Sequence, residues 1–500
     1  MLFGSELGVA TLRKTRPPCA IILVSLLLCT FAAATGQVHA GANDWPMFQH
    51  DLQHTGVIDT SPATNGFMLW QFPTGDKIRS SAAVVGGVVY DGSNNGYVYA
   101  LNASTGSVIW QYFGGAGVES SPAVVDNVVY IGILFDGHNG YLCALNADDG
   151  SLIWRFPTNS GIESSPSIVN GVVYIGSYFG YVYVLNATNG RLIWSYLTGD
   201  SVFSSPAVVD GTVYVGSHNG NVYALNATNG KLTWSFHTGG IVYSSPAVVN
   251  NVVYIGSQDH NLYALNASDG SEIWQYTTGG YLDPSPAVAN GLVYANCGNG
   301  YLYAIQASSG VEIWTTQTGS RVHNANAYAY SCPRVVGNMV YIGGYDGCLT
   351  AMNAYNGSIV WVSSAGNFIF ASPTVVNGIV YVGSFDGNIY AFGNSSGSKP
   401  TPTATPIPTP TATPSPTTTP HQETPPNPTA FPITTPKPSQ TPAAAFPTNH
   451  PIQANLAVQQ PQDSESDNWI LLLVFAAVSV TALLSLLLIF RKALSNFEGK

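Results

Sequence analysis

Eight positions at equivalent places in a repeated sequence carry side chains that could bind a ligand. Each stands directly before a short element of the type Ser-Ser-Pro-Ala-Val-Val, and its side chain varies while the surrounding sequence repeats. Four are charged and four are aromatic, in the order Arg79, Glu119, Glu163, Phe203, Tyr243, Asp283, Tyr330 and Phe370. This mixture suits a polar ligand with an apolar face. Drift at a solvent-exposed position would also explain the variation.

Catalysis by these residues is a weaker hypothesis. Glu119 and Glu163 occupy equivalent positions in neighbouring repeats, and paired carboxylates cleave glycosides when they are suitably spaced. The sequence contains no Gly-x-Ser-x-Gly element, phosphate-binding loop or zinc motif that would accompany another kind of chemistry. A glycosidase reading therefore depends on two residues alone.

The histidines do not form a metal-binding pattern. His50 and His54 have the four-residue spacing of zinc ligands on a helix, but no third ligand is evident, which favours a structural role. His138 and His323 each lack a partner at ligand spacing. We expect no metal site.

A tryptophan that returns at regular intervals sets the position of the eight variable residues. Its intervals are 40, 44, 40, 40, 40, 40 and 47 residues, and its positions are Trp70, Trp110, Trp154, Trp194, Trp234, Trp274, Trp314 and Trp361. Self-similarity at this period indicates an array of supersecondary units.

Each unit has the pattern of four short strands. In the unit that begins at Ser244, runs rich in Val, Ile and Tyr occupy residues 246–249, 252–256, 262–266 and 272–277. Asn, Asp, Ser and Gly separate these runs and supply turn conformations. No segment of the unit has a 3.6-residue period, so we predict one four-stranded antiparallel blade of a β-propeller per unit.

The number of units predicts how the ring closes. Eight innermost strands begin near Ser81, Ser121, Ser165, Ser205, Ser245, Ser285, Cys332 and Ser372. Trp70 has no inner strand before it, and the last inner strand has no tryptophan after it. We therefore predict an all-β, eight-bladed propeller in which the strand 68–73 completes the last blade beside residues 388–392, leaving no open sheet edge. The eight variable residues would then surround one mouth of the central channel.

The segment 224–234, ALNATNGKLTW, resembles the tryptophan-docking motif of the PQQ-repeat propellers, and most units carry a copy. One copy departs from it, with Gln306 where Asp or Asn is expected. The lead-in DWPMF at residues 44–48 also resembles the N-terminal segment of such proteins. The resemblance implies that the tryptophan docks between adjacent blades. It does not settle activity, because the family includes calcium- and quinone-dependent dehydrogenases as well as scaffold proteins that bind no quinone.

The composition of the chain ends predicts attachment to a membrane. Basic residues, an apolar run and a small-residue cleavage site make residues 1–40 a signal peptide, with an uncleaved anchor as the alternative. A lead-in segment (41–66) and the propeller (67–393) follow. We expect residues 394–468, rich in Pro and Thr, to form a disordered stalk, and the uncharged residues 469–490 to form a transmembrane helix. Arg491 and Lys492 then place residues 491–500 in the cytoplasm and the propeller outside the cell.

Several smaller features complete the sequence. Insertions at residues 135–139 and 321–330 break the strict repeat, and such loops often carry function, although tolerated surface insertion is the alternative. The four cysteines outside the signal are Cys143, Cys297, Cys332 and Cys348. Because three of them lie in two neighbouring blades, one disulfide there and unpaired thiols are both open alternatives. The N-glycosylation sequons are at Asn102, Asn186, Asn226, Asn266, Asn356 and Asn394. Turn chemistry explains the first four independently of glycosylation.

Two functions from different classes remain. Only 8% of the residues are charged and the net charge is −11, which disfavours nucleic-acid binding. We expect a non-catalytic binding or scaffold module for a protein or glycan partner, without a cofactor. The alternative is a quinoprotein oxidoreductase with PQQ and calcium. Such enzymes often place two adjacent cysteines against the quinone, and this chain has no adjacent cysteines.

Overall fold

The structure is a computed structural model that describes residues 44–58, 60–135, 139–318 and 330–394. Eight sheets are arranged in sequence order, and each contains four antiparallel strands. In each blade the innermost strand has three residues and the next three strands are longer. The all-β, eight-bladed propeller predicted from the repeat is confirmed.

Two strands precede the first complete blade: β1 (Val57–Ile58) and β2 (Phe67–Pro73). Blade 1 contains β3 (Ala83–Val85), β4 (Val88–Gly92), β5 (Tyr97–Asn102) and β6 (Val108–Phe113). Blade 2 contains β7 (Ala123–Val125), β8 (Val128–Phe135), β9 (Asn139–Asn146) and β10 (Leu152–Pro157). Blade 3 contains β11 (Ser167–Val169), β12 (Val172–Gly176), β13 (Tyr181–Asn186) and β14 (Leu192–Leu197). Blade 4 contains β15 (Ala207–Val209), β16 (Thr212–Gly216), β17 (Asn221–Asn226) and β18 (Leu232–His237).

Blade 5 contains β19 (Ala247–Val249), β20 (Val252–Gly256), β21 (Asn261–Asn266) and β22 (Glu272–Thr277). Blade 6 contains β23 (Ala287–Ala289), β24 (Leu292–Cys297), β25 (Tyr301–Gln306) and β26 (Glu312–Gln317). Blade 7 contains β27 (Arg334–Val336), β28 (Met339–Gly343), β29 (Cys348–Asn353) and β30 (Ile359–Ser364). Blade 8 contains β31 (Thr374–Val376), β32 (Ile379–Gly383) and β33 (Asn388–Gly393). In blade 5 the predicted first residues of β19 and β21 each differ by one from the observed ones. Pro246 has no N–H and lies outside the hydrogen-bonded strand.

The N-terminal strand closes the ring. β2 pairs antiparallel with β33, from Phe67 opposite Gly393 to Pro73 opposite Asn388, and forms the outermost strand of blade 8. The strand begins one residue earlier than the sequence predicted. Blade 8 is therefore built from both ends of the propeller sequence, and β2 covers the edge of β33 that would otherwise be open.

The recurring tryptophan joins each blade to the next. Seven of the eight indole N–H groups donate to an alanine carbonyl of the following blade, and in blade 4 Trp234 Nε1 lies 2.9 Å from the Ala267 oxygen. The hydroxyl of Tyr214 donates to the same oxygen at 3.1 Å. A glycine of the following blade lies against the indole: a Cβ at Gly270, where φ is +75°, would lie 2.6 Å from Trp234 Cε3. The docking motif thus pairs a large ring with a position that only glycine can occupy.

Blade 8 lacks a docking motif of its own, and the lead-in supplies the missing contact. Trp361 Nε1 of blade 7 donates to the carbonyl of Ala63 at 3.0 Å, and Tyr341 donates its hydroxyl to the same oxygen. Gly66 takes the place of the docking glycine, with no room for a Cβ beside Trp361. Residues before the first blade therefore complete the last interface of the ring.

The lead-in segment 44–58 crosses the central channel. Trp45 exchanges two backbone hydrogen bonds with Val84 of blade 1. The backbone carbonyls of Pro46, Leu52, Gln53, Thr55 and Gly56 then accept hydrogen bonds from the inner strands of blades 2, 4, 5, 6 and 7. β1 continues this path and pairs parallel with β27. The segment therefore plugs the channel, and we refer to residues 44–58 as the plug.

One buried arginine is packed against the plug. Arg334 opens β27 at the position where other blades carry Ala, Ser or Thr, and its side chain is fully buried. Its Nη1 donates to Gln49 Oε1, and its guanidinium lies 5.5 Å from the ring centre of Trp45 and 5.3 Å from that of Phe48. Burial opposes ionisation of the neighbouring Asp51, but hydrogen bonds from His50 and Thr55 hold its pKa below the usual value. The plug thus holds a carboxylate near a buried guanidinium.

The two closely spaced histidines belong to the plug. His54 is buried, and its Nε2 lies 3.4 Å from Ser167 Oγ of blade 3. Burial lowers the pKa of His54 to about 4, against the opposing charge of Asp51. His50 packs edge-on against Trp45. These contacts give both histidines a structural environment.

Asp91 in blade 1 occupies a position that is apolar in the other blades. Its side chain is fully buried and accepts hydrogen bonds from Ser80 Oγ and the Gly92 N–H, whereas Ile131 and Ile255 fill the equivalent positions in blades 2 and 5. Burial raises the pKa of Asp91 to about 7 from 3.8. Between pH 3.8 and about 7, the carboxyl group of Asp91 is therefore protonated in the folded chain and ionised in the unfolded chain.

We expect Asp91→Asn to change the pH dependence of stability. Because the pKa of Asp91 is raised in the folded state, the wild-type free energy of unfolding falls as pH rises from about 4 to about 7. Ionisation of Asp91 accounts for roughly 2–4 kcal/mol of this fall. The Asn variant lacks this decline, so its stability relative to wild type should increase over that range. Urea unfolding at pH 5, 6, 7 and 8 measures the difference. Parallel pH profiles for the two proteins would contradict it.

The expected signal peptide (1–40), stalk (394–468), transmembrane helix (469–490) and tail (491–500) lie outside the described residues, apart from Asn394. Across the described ranges, no helix has the length and apolar character required to cross a bilayer. The insertion at 321–330 also lies outside them except for Tyr330. Of the insertion at 135–139, Phe135 ends β8 and Asn139 begins β9, and residues 136–138 lie outside the described ranges.

Candidate ligand-binding site at the channel mouth

A closed ring of hydrogen bonds fixes the start of every inner strand. In each blade the backbone N–H of the residue in the second serine position donates to the side chain of its counterpart in the next blade, for example Ser81 to Ser121 at 2.9 Å. Cys332 takes part through its sulfur, and Ser372 donates back to Ser81 at 2.9 Å. The ring runs through Ser81, Ser121, Ser165, Ser205, Ser245, Ser285, Cys332 and Ser372. This girdle holds the eight blades in register around the channel.

The first serine of the element holds the loop above the girdle. In blade 3, Ser164 Oγ accepts the N–H of Gly176, the last residue of β12, at 3.0 Å. The same bond forms in blades 1, 2, 4, 5 and 7. The residue directly before this serine is therefore fixed at the channel mouth by its own blade, while its side chain is free to vary.

All eight variable residues identified in the sequence line one depression at the channel mouth: Arg79, Glu119, Glu163, Phe203, Tyr243, Asp283, Tyr330 and Phe370. The girdle side chains lie below them, and Phe48 of the plug also lines the depression. Its volume is about 680 Å³, including the part that opens to solvent. Because the plug crosses the channel, the mouth is a blind cup.

Two carboxylates meet on one side of the cup. Glu119 accepts a hydrogen bond from Asn94 at 3.1 Å and lies 3.4 Å from Arg79 Nη1. Its carboxyl group also contacts that of Glu163; burial, and next the charge of Glu163, hold the pKa of Glu119 well above its usual range. Both oxygens of Glu163 accept hydrogen bonds from tyrosine hydroxyls, Tyr178 on Oε1 and Tyr243 on Oε2.

A third carboxylate lies apart from this pair. Asp283 is 4% exposed, and its Oδ1 accepts a hydrogen bond from Gln258 at 2.9 Å. Its Oδ2 is buried and has no hydrogen-bond partner among the described residues. Burial raises the pKa of Asp283 to about 6. A buried carboxylate oxygen without a donor is costly unless a ligand supplies one.

Aromatic rings form the remaining wall. The ring centres of Tyr243 and Tyr330 are 5.9 Å apart, and those of Tyr330 and Phe370 are 4.6 Å apart. Phe370 in turn contacts Phe385 at 4.2 Å, while Phe203 contacts Tyr243 at 5.1 Å. The arc offers flat apolar surface beside the carboxylates, which suits a ligand with both charged and apolar parts.

A second ring of variable residues surrounds the first, and the sequence prediction missed it. These residues follow the Gly-Ser or Gly-Gly pair at the end of the second strand: Asn94, Tyr178, His218, Gln258, Tyr345 and Phe385. Each contacts a residue of the first ring, as Asn94 and Gln258 do by hydrogen bonds. The signal was present, because this position also varies within a strict repeat.

The arrangement fits binding better than hydrolysis. Glycosidases hold their two carboxyl groups about 5–10 Å apart so that the sugar or a water lies between them. Here the carboxyl group of Glu119 lies against that of Glu163, and tyrosine hydroxyls occupy both Glu163 oxygens. Within the described ranges, no three His, Cys, Asp or Glu side chains gather where they could hold a metal ion.

The remaining sequence features lie away from the cup or have local roles. The four cysteines outside the signal have free thiols, so the structure follows the unpaired alternative. The side-chain oxygens of Asn102, Asn186, Asn226 and Asn266 accept backbone N–H groups two residues ahead, as turn chemistry requires.

Family models match much of the chain in pieces. The model described as outer membrane protein assembly factor BamB matches residues 54–160 and 278–400. The model described as the β-propeller of beta-alanine-activating enzyme matches residues 118–329. These matches confirm the resemblance to PQQ-repeat propellers. No curated protein sequence matches the chain significantly.

Solved structures share the fold at low sequence identity. BamB from Moraxella catarrhalis is 20% identical, with a TM-score of 0.57 over 66% of this chain and 100% of that chain. Quinohemoprotein alcohol dehydrogenase from Comamonas testosteroni is 17% identical, with a TM-score of 0.58 over 74% of this chain and 83% of that one. A europium-containing methanol dehydrogenase is 14% identical, with a TM-score of 0.61 over 71% of this chain and 98% of that chain. At these identities the likeness shows a common fold.

Proposed function

We propose that this chain, which is a PQQ-repeat β-propeller, is a non-catalytic binding module whose channel mouth contacts a partner protein. The observation that carries the proposal is the convergence of all eight variable residues on one cup. The closed girdle and the plug hold that cup in place, while its lining differs from blade to blade. A rigid scaffold with a varied face is the usual basis of specific recognition. The family match to an assembly factor supports a protein over a glycan as the partner.

The quinoprotein alternative draws support from the fold shared with two dehydrogenases. The cup does not fit the quinone well, because PQQ is a polycarboxylate and the lining holds Glu119, Glu163 and Asp283 against a single arginine, Arg79. We therefore assign no redox step to these residues. Dye reduction by the full-length chain after addition of PQQ and calcium would contradict the binding proposal.

Two exposed aromatic residues allow a matched test of the binding face. Phe179 lies in the turn between β12 and β13 at the mouth end, and Tyr355 lies in the turn between β29 and β30 at the opposite end. Both are 57% exposed. With a photocrosslinking phenylalanine analogue at either position of the full-length chain, we expect a discrete protein adduct from 179 and none from 355. Equal crosslinking from both ends, or only glycan on the 179 adduct, would contradict the proposal.

We also propose that the propeller is displayed outside the membrane, with residues 394–468 as the stalk and 469–490 as the anchor. The support is compositional: Pro and Thr dominate the first segment, and the second contains no charge. Protease added to intact cells should release the propeller and leave an epitope at residues 491–500 protected. Loss of the epitope without cell lysis would contradict this orientation.

A further inference from the structure

The cup already holds one cation between a carboxylate and an aromatic ring. Arg79 Nη1 lies 3.4 Å from Glu119 Oε2, and its guanidinium carbon lies 5.5 Å from the ring centre of Phe385. Lys77 Nζ lies 5.5 Å from the centre of the same ring. Carboxylate and π-face together stabilise a cation more than either does alone, and the effect grows as the site is desolvated.

The opposite side of the cup repeats this chemistry without a cation among the described residues. Asp283 stands in the ring of mouth residues between Tyr243 and Tyr330, whose rings contact each other. Its Oδ2 is buried with no donor from the described residues, while Gln258 satisfies only Oδ1. This side therefore has the carboxylate and the aromatic rings of a cation site, and one acceptor atom to spare.

Charge favours a cation over any other ligand at this position. The lining carries three carboxylates, Glu119, Glu163 and Asp283, and one arginine. An added positive charge would supply a donor to Asp283 and offset the negative charge of the lining. An anionic ligand would meet the opposite field.

We propose that the cup binds an arginine or lysine side chain of the partner protein, with its cationic group at Asp283 and its methylene stem against Tyr243 and Tyr330. The inference rests on the proposed function in that the cation is carried by a protein. A side chain of this kind enters a blind cup from above and needs both an apolar wall for its stem and a carboxylate for its end.

The experiment compares two short capped peptides by calorimetry with the full-length chain. One contains a central arginine and the other contains citrulline, which has the same shape without the charge. We expect the arginine peptide to bind at least about tenfold more tightly. Asp283→Asn should weaken that binding by about tenfold or more, while the control Asp200→Asn, an exposed acid on the same face, should change it less than about twofold.

The pH dependence gives a readout that needs no variant. A cation binds the ionised carboxylate, so affinity for the arginine peptide should rise by up to about tenfold from pH 5 to pH 7, as Asp283 ionises through its pKa of about 6. Burial lowers the pKa of the nearby His218. The other polar and titratable groups around Asp283 are Gln258, Cys297, Cys332, Tyr243, Tyr330, Glu163, Glu119 and Arg79. Glu119 titrates in the same direction, and the Asp283→Asn profile separates its contribution.

Several results would overturn the inference. These are equal affinity for the arginine and citrulline peptides, a flat pH profile, or tighter binding of free spermidine than of the arginine peptide, which would assign the site to a small polyamine. If position 179 crosslinks a partner but the arginine peptide does not bind, the cation site fails and the binding module stands. If the arginine peptide binds but position 179 crosslinks no protein, the cation site stands and the proposed binding of a partner protein fails.

Discussion

Replacing Trp234 with alanine is expected to lower the free energy of unfolding by about 3–5 kcal/mol, the range found when a large buried aromatic side chain is truncated. The indole is 7% exposed, and it packs between blades 4 and 5 against Gly270 and Tyr214. Its removal leaves a cavity in the interface that joins the two blades. Urea or thermal unfolding of the full-length chain measures the loss.

Two further substitutions separate packing from hydrogen bonding. Trp234→Phe keeps part of the ring but removes the N–H; since Tyr214 still donates to the Ala267 oxygen, we expect a loss of about 1–2 kcal/mol. Thr233→Ala, at the exposed neighbouring position, should change stability by less than about 0.5 kcal/mol. A Trp234→Ala loss as small as that of Thr233→Ala would show that the docking tryptophan does not hold the blades together.

Replacing Arg334 with alanine is expected to cost about 3–5 kcal/mol, because it removes one partner of a buried charged cluster. Gln49 would lose its donor, Asp51 would remain ionised without the nearby guanidinium, and the rings of Trp45 and Phe48 would face a cavity. The plug should then loosen from the inner strands. Denaturation gives the free energy, and limited proteolysis within residues 44–58 reports the loosening.

Matched replacements identify which property of Arg334 matters. Arg334→Met keeps most of the volume and should cost less than alanine, since apolar replacement of a buried ion is often tolerated. Arg334→Lys keeps the charge but loses the flat guanidinium that stacks on the two rings. An alanine variant within about 1 kcal/mol of wild type, with an unchanged proteolysis pattern, would contradict the role assigned to this residue.

The repeated part of the molecule could be predicted from sequence because each element recurs eight times with the same neighbours. The period of the tryptophan, four β-rich runs per unit, and the mismatch between the first tryptophan and the last inner strand were enough for the blade number and for closure by β2. The mouth residues followed from the same logic, since Glu163 or Tyr243 differs from its equivalents while the flanking serines recur in most blades.

The plug, which forms the floor of the cup, could not be predicted in this way because its sequence is not part of the repeat. The plug has no second copy in the chain, and its backbone carbonyls, which carry no sequence signal, make its hydrogen bonds to the inner strands. Arg334 could have been identified from the sequence, because it is the one charged residue at an inner-strand position that otherwise holds Ala, Ser or Thr. The contact between Glu119 and Glu163 was also out of reach, because it depends on side-chain direction at the mouth.

The closure of blade 8 has a mechanical consequence. β33 is not an edge strand, since it is hydrogen-bonded to β32 on one side and to β2 on the other. Gly393, its last residue, is where the chain leaves the propeller towards the Pro/Thr-rich segment. If residues 394–468 form the proposed stalk, tension along it would load two ladders at once, one of them formed by the opposite end of the domain. A tether attached in this way resists pulling better than one that continues from an outer strand, which could peel away one hydrogen bond at a time.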